Sequence, residues 1–194
     1  MLEHPKVLSL TGNRKGMTTM DNQQVKRLSW LAGFYDGEGY LGITINKSKG
    51  YDRLAPQIDL VNTDIETIDY AVDILKDFGI SVYQWAADYP QHNPKAKPKK
   101  QIRIARMKQV RAFTDLLTPF LVTKLPQAIL LSEFVNSRAV GYIRISERDY
   151  EIYNQLKLLN KKGRLESSET LRRGELARMI KSEHYAKASD STIA

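Results

Sequence analysis

The sequence predicts an α+β fold, an αββαββα core built on a mostly antiparallel four-stranded sheet and followed by C-terminal helices. Three observations carry this expectation. Apolar residues keep helical spacing at Ile65, Ile68, Val72 and Leu75, and again at Val110, Phe113, Leu117 and Phe120. Elsewhere the period falls to two, as where Leu41, Ile43 and Ile45 alternate with Gly42, Thr44 and Asn46. Turn residues separate these stretches at Lys47–Gly50, at Gly79 and in the Pro/Lys-rich run Tyr89–Lys100.

Taken in order, residues 1–20 lack periodicity and read as a basic arm. A helix is expected over Asn22–Tyr35, with Asp21 or Asn22 as its N-cap. Strands follow from Leu41 and over Arg53–Val61, the second with Ile58 and Leu60 inward and Gln57 and Asp59 outward. Thr63 with Glu66 forms a capping box that opens the next helix, and Gly79 stops it. Strands over Ile80–Ala87 and Gln101–Arg106 precede the third core helix. Helices are then expected over 125–139, 146–160 and 168–183. The core domain is placed at 21–140, with 141–194 as its helical extension. Apolar character places Trp30, Tyr83 and Trp85 in the core, and leaves a polar sheet face of Thr44, Asn46, Gln57, Asp59, Gln84 and Arg103 open to a ligand.

The chain has 194 residues, 42% hydrophobic and 27% charged, which suits one substantial domain or two small ones. It has no cysteine, so disulfides, thiolate metal sites and thiol catalysis are excluded. The net charge of +8, from 30 Lys+Arg against 22 Asp+Glu, fits a polyanionic partner, either nucleic acid or an acidic membrane. No apolar run reaches the roughly 18 residues of a membrane span, and Met1–Met20 holds no apolar signal core. An intracellular protein acting without a membrane is expected. Between Pro94 and Ala112 there are eight basic residues and no acidic one. Lys97, Lys99 and Lys100 are placed to hold phosphates, and outward strand residues such as Arg103 to enter a groove. A second basic cluster, Lys157, Lys161, Lys162 and Arg164, ends the penultimate helix.

The most unusual stretch is Leu31-Ala32-Gly33-Phe34-Tyr35-Asp36-Gly37-Glu38-Gly39. A glycine inside a helix costs about 1 kcal/mol against alanine. Carboxylates at a helix C-terminus face the negative end of the macrodipole. Both penalties call for compensation from outside the segment. Gly33 and Gly37, four apart, allow another backbone to come close. A cation would relieve Asp36 and Glu38. A tight helix–helix contact with a metal at its end is therefore expected.

Other chemistry is poorly supported. His4, His92 and His184 have no metal-ligand spacing. No phosphate-binding Gly-rich loop and no Gly-x-Ser-x-Gly elbow is present. Carboxylate chemistry with magnesium remains, of the kind used in phosphodiester hydrolysis. One Glu38 is thin for that task, whereas two copies at a symmetric interface suffice.

Residues 31–39 resemble the signature of the LAGLIDADG homing endonucleases. Seven of the nine positions match the name or its acidic and small-residue variants, and Phe34 and Tyr35 exchange apolar for apolar. The element order over about 21–140 resembles that family's core, and the helical tail resembles that of members with a single motif. The resemblance implies a homodimer with Gly33 and Gly37 at the interface, acting on double-stranded DNA with magnesium at the interface. It implies Glu38 as metal ligand and catalytic residue, Asp36 as a support, Asn62 as a residue ordering water, and Lys124 as a lysine near the scissile bond. The basic residue that relatives carry one turn into the second helix is replaced here by Glu66 or Thr67. DNA readout by the exposed sheet face would fall to Tyr40, Gly42, Thr44, Asn46, Arg53, Gln57, Asp59, Gln84, Ala86, Gln101 and Arg103, with Lys97, Lys99, Lys100, Lys161 and Lys162 on phosphates. The expected activity is site-specific double-strand cleavage at a long pseudo-palindromic site. The alternatives are an RNA-binding intron maturase, acting on intron RNA, and an inactive DNA-binding regulator.

Overall fold

The computed structural model describes residues 20–48, 51–87, 97–138, 144–161 and 166–190. The expected basic arm (except Met20), most of the Pro/Lys loop, and Lys162 and Arg164 lie outside these residues.

Helix α1 spans Asn22–Glu38. The Asp21 carboxylate accepts the Gln24 N–H at 2.7 Å, and the Gln24 side chain accepts the Asp21 N–H at 3.0 Å. Leu28, Leu31, Ala32 and Tyr35 recur every three or four residues and are buried. The helix runs three residues beyond the expected Tyr35, so the whole acidic end of the motif is helical.

Strands β1 (Tyr40–Ser48) and β2 (Tyr51–Asn62) form an antiparallel pair, with Tyr40 opposite Asp59 and Asn46 opposite Arg53. Helix α2 spans Ile65–Asp77. Its cap is Asp64 rather than Thr63: the Asp64 carboxylate accepts the Thr67 N–H at 3.2 Å and its hydroxyl at 2.9 Å. A carboxylate beside the positive end of a helix outcompetes the neighbouring hydroxyl. The helix closes as expected at Gly79, the one described residue with positive φ (73°). The Gly79 N–H reaches the Lys76 carbonyl and the Ile80 N–H the Leu75 carbonyl, with both Leu75 and Ile80 buried.

Strand β3 covers only Tyr83–Ala87, and β4 covers Lys99–Ile104. Helix α3 spans Met107–Leu117, a 3-10 turn covers Thr118–Phe120, and α4, α5 and α6 span Leu125–Ser137, Glu147–Leu159 and Ser167–Asp190. The four strands lie in the order β1-β2-β4-β3, every neighbour antiparallel.

The core lies between one sheet face and the helices. Leu41, Ile43, Ile58, Leu60, Ile102 and Ile104 meet Leu28, Leu31, Ile68, Val72, Phe113 and Leu131. Burial of such side chains contributes roughly 1.5–3 kcal/mol each. Helix α5 borders the β1–β2 hairpin: the Asn160 side chain donates to the Leu41 carbonyl at 2.8 Å, and the Tyr150 hydroxyl donates to Asp52 at 3.1 Å.

The register corrects the face assigned to β3. Tyr83 and Trp85 pair with Arg103 and Gln101 and stand on the open face, whereas Gln84 and Ala86 pair with Ile102 and Lys100 and belong to the helix side. β3 is an edge strand, and Gln84 and Ala86 are exposed even on the helix side. Apolar character therefore does not report the buried face there. Trp30 is likewise not in the core. It is 37% exposed and lies edge-on to Tyr70 at 4.7 Å.

Candidate nucleic-acid interface and catalytic corner

The motif places Gly33 and Gly37 on the exposed face of α1. A Cβ added at either would meet nothing within 4 Å. Packing among the described residues therefore does not require these glycines. Gly39 differs: its Cβ would stand 2.4 Å from Tyr35 Cδ1 and 2.7 Å from the Tyr35 carbonyl. Tyr35 is fully buried, so it cannot move aside cheaply.

The two carboxylates of the motif have separate environments. Asp36 is engaged on both oxygens, accepting the Val122 N–H at 2.8 Å and the Lys124 N–H at 2.7 Å. The Lys124 ammonium in turn donates to the Asp36 carbonyl at 2.9 Å. These bonds fix the short link between the 3-10 turn and α4 against the end of α1. Glu38 is exposed, and no described donor reaches its carboxylate. Among the described residues, no three His, Cys, Asp or Glu side chains form a metal-binding group. The fit to a metal is therefore that of one free, hard oxygen donor per chain, which suits magnesium but is incomplete in a single copy. Beside this corner is a cleft of about 350 Å³ lined by Gly39, Tyr40, Lys124, Gln127, Asn160 and Arg173.

Asn62 ends β2 opposite Lys100, and its side chain accepts the Asp64 N–H at 2.9 Å. It thus organises the turn into α2. Glu66 and Thr67 occupy the first turn of α2, and no basic residue stands there.

The open sheet face is ordered by rows of paired residues. Tyr40, Asp59, Arg103 and Tyr83 form one row across all four strands. Val61, Gln101 and Trp85 form the next. In the other direction follow Gly42 with Gln57, Thr44 with Ala55, and Asn46 with Arg53. Tyr40 folds across Gly42, where an added Cβ would lie 2.4 Å from its hydroxyl. Burial, with Asp59 nearby, raises the pKa of the Tyr40 hydroxyl. Asp59, expected as a freely exposed readout residue, is only 9% exposed because Arg103 and Gln57 cover it. The hydrogen bond to Asp59 raises the Arg103 pKa against the opposing effect of burial.

The basic residues divide as well. Lys97 is exposed and Lys99 is part-exposed. Lys100, expected on phosphate, belongs to the helix side and is ion-paired with Asp69 of α2. Lys161 pairs with Glu169 at 2.5 Å. Sequence reasoning missed Tyr83 and Trp85 on the open face. The signal that could have found them is pairing with Gln101 and Arg103, because directly opposed residues share a face.

No helix among the described residues is long and apolar enough to cross a membrane. Among solved structures, the fold is similar to the archaeal intron-encoded homing endonuclease I-Vdi141I complexed with DNA, with TM-score 0.57 and 15% identity over 82% of this chain and 99% of that one. It is similar to the homing endonuclease I-CvuI in complex with an I-CreI target in the presence of magnesium, with TM-score 0.53 and 16% identity over 82% and 98%. It is also similar to I-SmaMI bound to cleaved DNA, with TM-score 0.50 and 17% identity, covering 77% of this chain but 48% of that one. At these identities the likeness is one of fold. No curated protein matches the chain. Residues 26–118 match the family described as LAGLIDADG-like domain. The motif and the strand register agree with this match to a LAGLIDADG-like domain over residues 26–118.

Proposed function

We propose that the chain is a magnesium-dependent, site-specific DNA endonuclease acting as a homodimer. The observation that carries this reading is the division of labour at the end of α1, where Asp36 is spent on holding Val122 and Lys124 and Glu38, two residues on, is left exposed with no described donor on its carboxylate. Glu38 from each of two copies would hold the metal ions. Lewis-acid stabilisation of charge on the phosphoryl oxygens is the chemistry a bound magnesium supplies. Lys124 keeps a positive charge at the same corner, where it can offset negative charge developing at the phosphate. The open sheet face meets the major groove, and exposed Arg53 and Lys97 meet phosphates.

Two observations support two copies. Gly33 and Gly37 lie on an exposed helix face, and no packing among the described residues requires them. The fold also corresponds to 48% of I-SmaMI, so one chain occupies the place of about half of a longer relative. Residues 21–140 serve as the core domain in this reading, with 141–194 as its helical extension.

Selection of cleaved sites from a random duplex library with magnesium tests the activity. The wild-type protein recovers a long, roughly two-fold symmetric site, and Glu38→Gln binds that site without cutting it. Cutting by Glu38→Gln at the wild-type rate overturns the assignment of Glu38. Sedimentation tests the assembly: a stable monomer that still cuts both strands overturns the dimer.

A further inference from the structure

We infer that Asp59 is a positioning residue that aims Arg103 at a guanine in each half of the DNA site. The assignment rests on the endonuclease reading above. Arg103 Nε donates to Asp59 Oδ1 at 2.6 Å, and Nη2 donates to Oδ2 at 2.9 Å. The Gln57 side-chain amide donates to the same Asp59 Oδ2. The Trp85 ring lies under the guanidinium, 5.2 Å from Cζ. Arg103 is therefore held at one edge and on one face.

What remains of the guanidinium decides what it can read. Of its five N–H donors, the side-on pair with Asp59 uses the Nε–H and one on Nη2. Arg103 makes no other hydrogen bond among the described residues. The free edge carries one donor on Nη2 and two on Nη1. That edge is the fork that matches O6 and N7 of guanine in the major groove. The Arg103 side chain is 34% exposed while that of Asp59 is 12% exposed, so the fork is accessible and its brace is covered.

The charge argues against a phosphate contact. The Asp59 carboxylate neutralises most of the arginine, and it would repel a phosphate brought alongside. A base edge has no such penalty. The restraint by Asp59 and Trp85 also means that little side-chain freedom is left to lose on binding.

The strand register places the contact along the DNA. Arg103 shares its row with Tyr40, two residues after Glu38, whereas Asn46, with Arg53 opposite it on β2, lies six residues further along β1. At about 3.4 Å per residue that is roughly 20 Å, or about six base pairs. The guanine therefore lies in the inner part of each half-site, near the cut.

The test is selection of duplex sites by wild type, Arg103→Ala and Asp59→Asn, followed by binding to the wild-type site with 7-deazaguanine at the inner position. Wild type selects a guanine at one symmetric pair of inner positions. Arg103→Ala loses that preference and roughly five- to a hundredfold in affinity for the site, while preferences elsewhere stay. Asp59→Asn weakens the same single preference and leaves the salt dependence of binding unchanged. Removing N7 weakens wild-type binding and leaves Arg103→Ala unaffected, a comparison that needs no altered Asp59. A uniform loss of affinity in Arg103→Ala with the guanine preference intact overturns the assignment alone. Failure of the wild-type protein to select any duplex site overturns the endonuclease reading and the assignment together.

Discussion

Asp36 and Lys124 hold each other through two hydrogen bonds, and Val122 adds a third to the same carboxylate. The Asp36 carboxylate accepts the Lys124 N–H at 2.7 Å and the Val122 N–H at 2.8 Å, and the Lys124 ammonium returns to the Asp36 carbonyl at 2.9 Å. Hydrogen bonds to an ionised acceptor are the stronger kind. Asp36→Ala leaves two backbone donors without their partner, a loss of about 2–3 kcal/mol. Glu38→Gln removes no bond within the described chain and should shift stability by no more than about 0.5 kcal/mol. Both substitutions are expected to abolish cleavage. Urea denaturation of the two variants separates them: a midpoint for Asp36→Ala equal to wild type removes the structural role of that carboxylate.

The three motif glycines respond differently to one added methyl. At Gly33 and Gly37 the methyl enters open space. Alanine there should stabilise the isolated fold by about 0.5–1 kcal/mol, while bulkier leucine should separate the dimer. At Gly39 the methyl collides with buried Tyr35, and overpacking of that kind costs about 1–3 kcal/mol. Thermal melts at low protein concentration with parallel sedimentation check both. A dimer that survives leucine at both Gly33 and Gly37 places the interface elsewhere.

The element order was legible because helix and strand periods are local and strong here, from Leu41 to Ile45 and from Ile65 to Leu75. Gly79 was legible because a positive φ has few alternatives to glycine. Edge geometry was not. Tyr83 and Trp85 look like core residues until β4 is placed beside them, since the face of an edge strand is set by its neighbour and not by its own alternation. Lys100 looked like a phosphate contact because its partner, Asp69, comes from another element, 31 positions away. The resemblance implied Asp36 as a support, but the loop that it holds is 86–88 residues distant. Only the third dimension brings that loop to the motif.

Acid should weaken the joint between α4 and α5. Asp149 is buried, accepts the Ser146 N–H at 2.7 Å and pairs with Arg138 at 2.8 Å. Burial raises its pKa, but the Ser146 backbone and hydroxyl and the Arg138 charge outweigh that, and the net shift is downward. A carboxylate with a depressed folded pKa stabilises above its unfolded value, near 3.9, and loses that contribution as pH falls through the folded value. Asp149→Ala also removes a carboxylate partner of the largely covered Arg138 guanidinium, so a loss of about 2–3 kcal/mol is expected at pH 7. The gap to wild type should narrow as pH falls below about 4. Urea unfolding at several pH values measures it, and a gap that does not change with pH removes the ionised pair as its cause.

Salt dependence separates cations that serve the fold from cations that serve DNA. Lys100 is committed to Asp69 on the helix side. Arg53 is exposed on the open face opposite Asn46. Each phosphate contact contributes about 0.9 to the slope of log K against log salt. Arg53→Ala should therefore lower that slope by about one and leave stability unchanged. Lys100→Ala should cost no more than about 1 kcal/mol of stability, as for a part-exposed ion pair, and leave the slope alone. Affinity titrations of both variants between low and moderate salt decide the matter. A lower slope in Lys100→Ala means that the lysine leaves Asp69 for a phosphate when DNA binds.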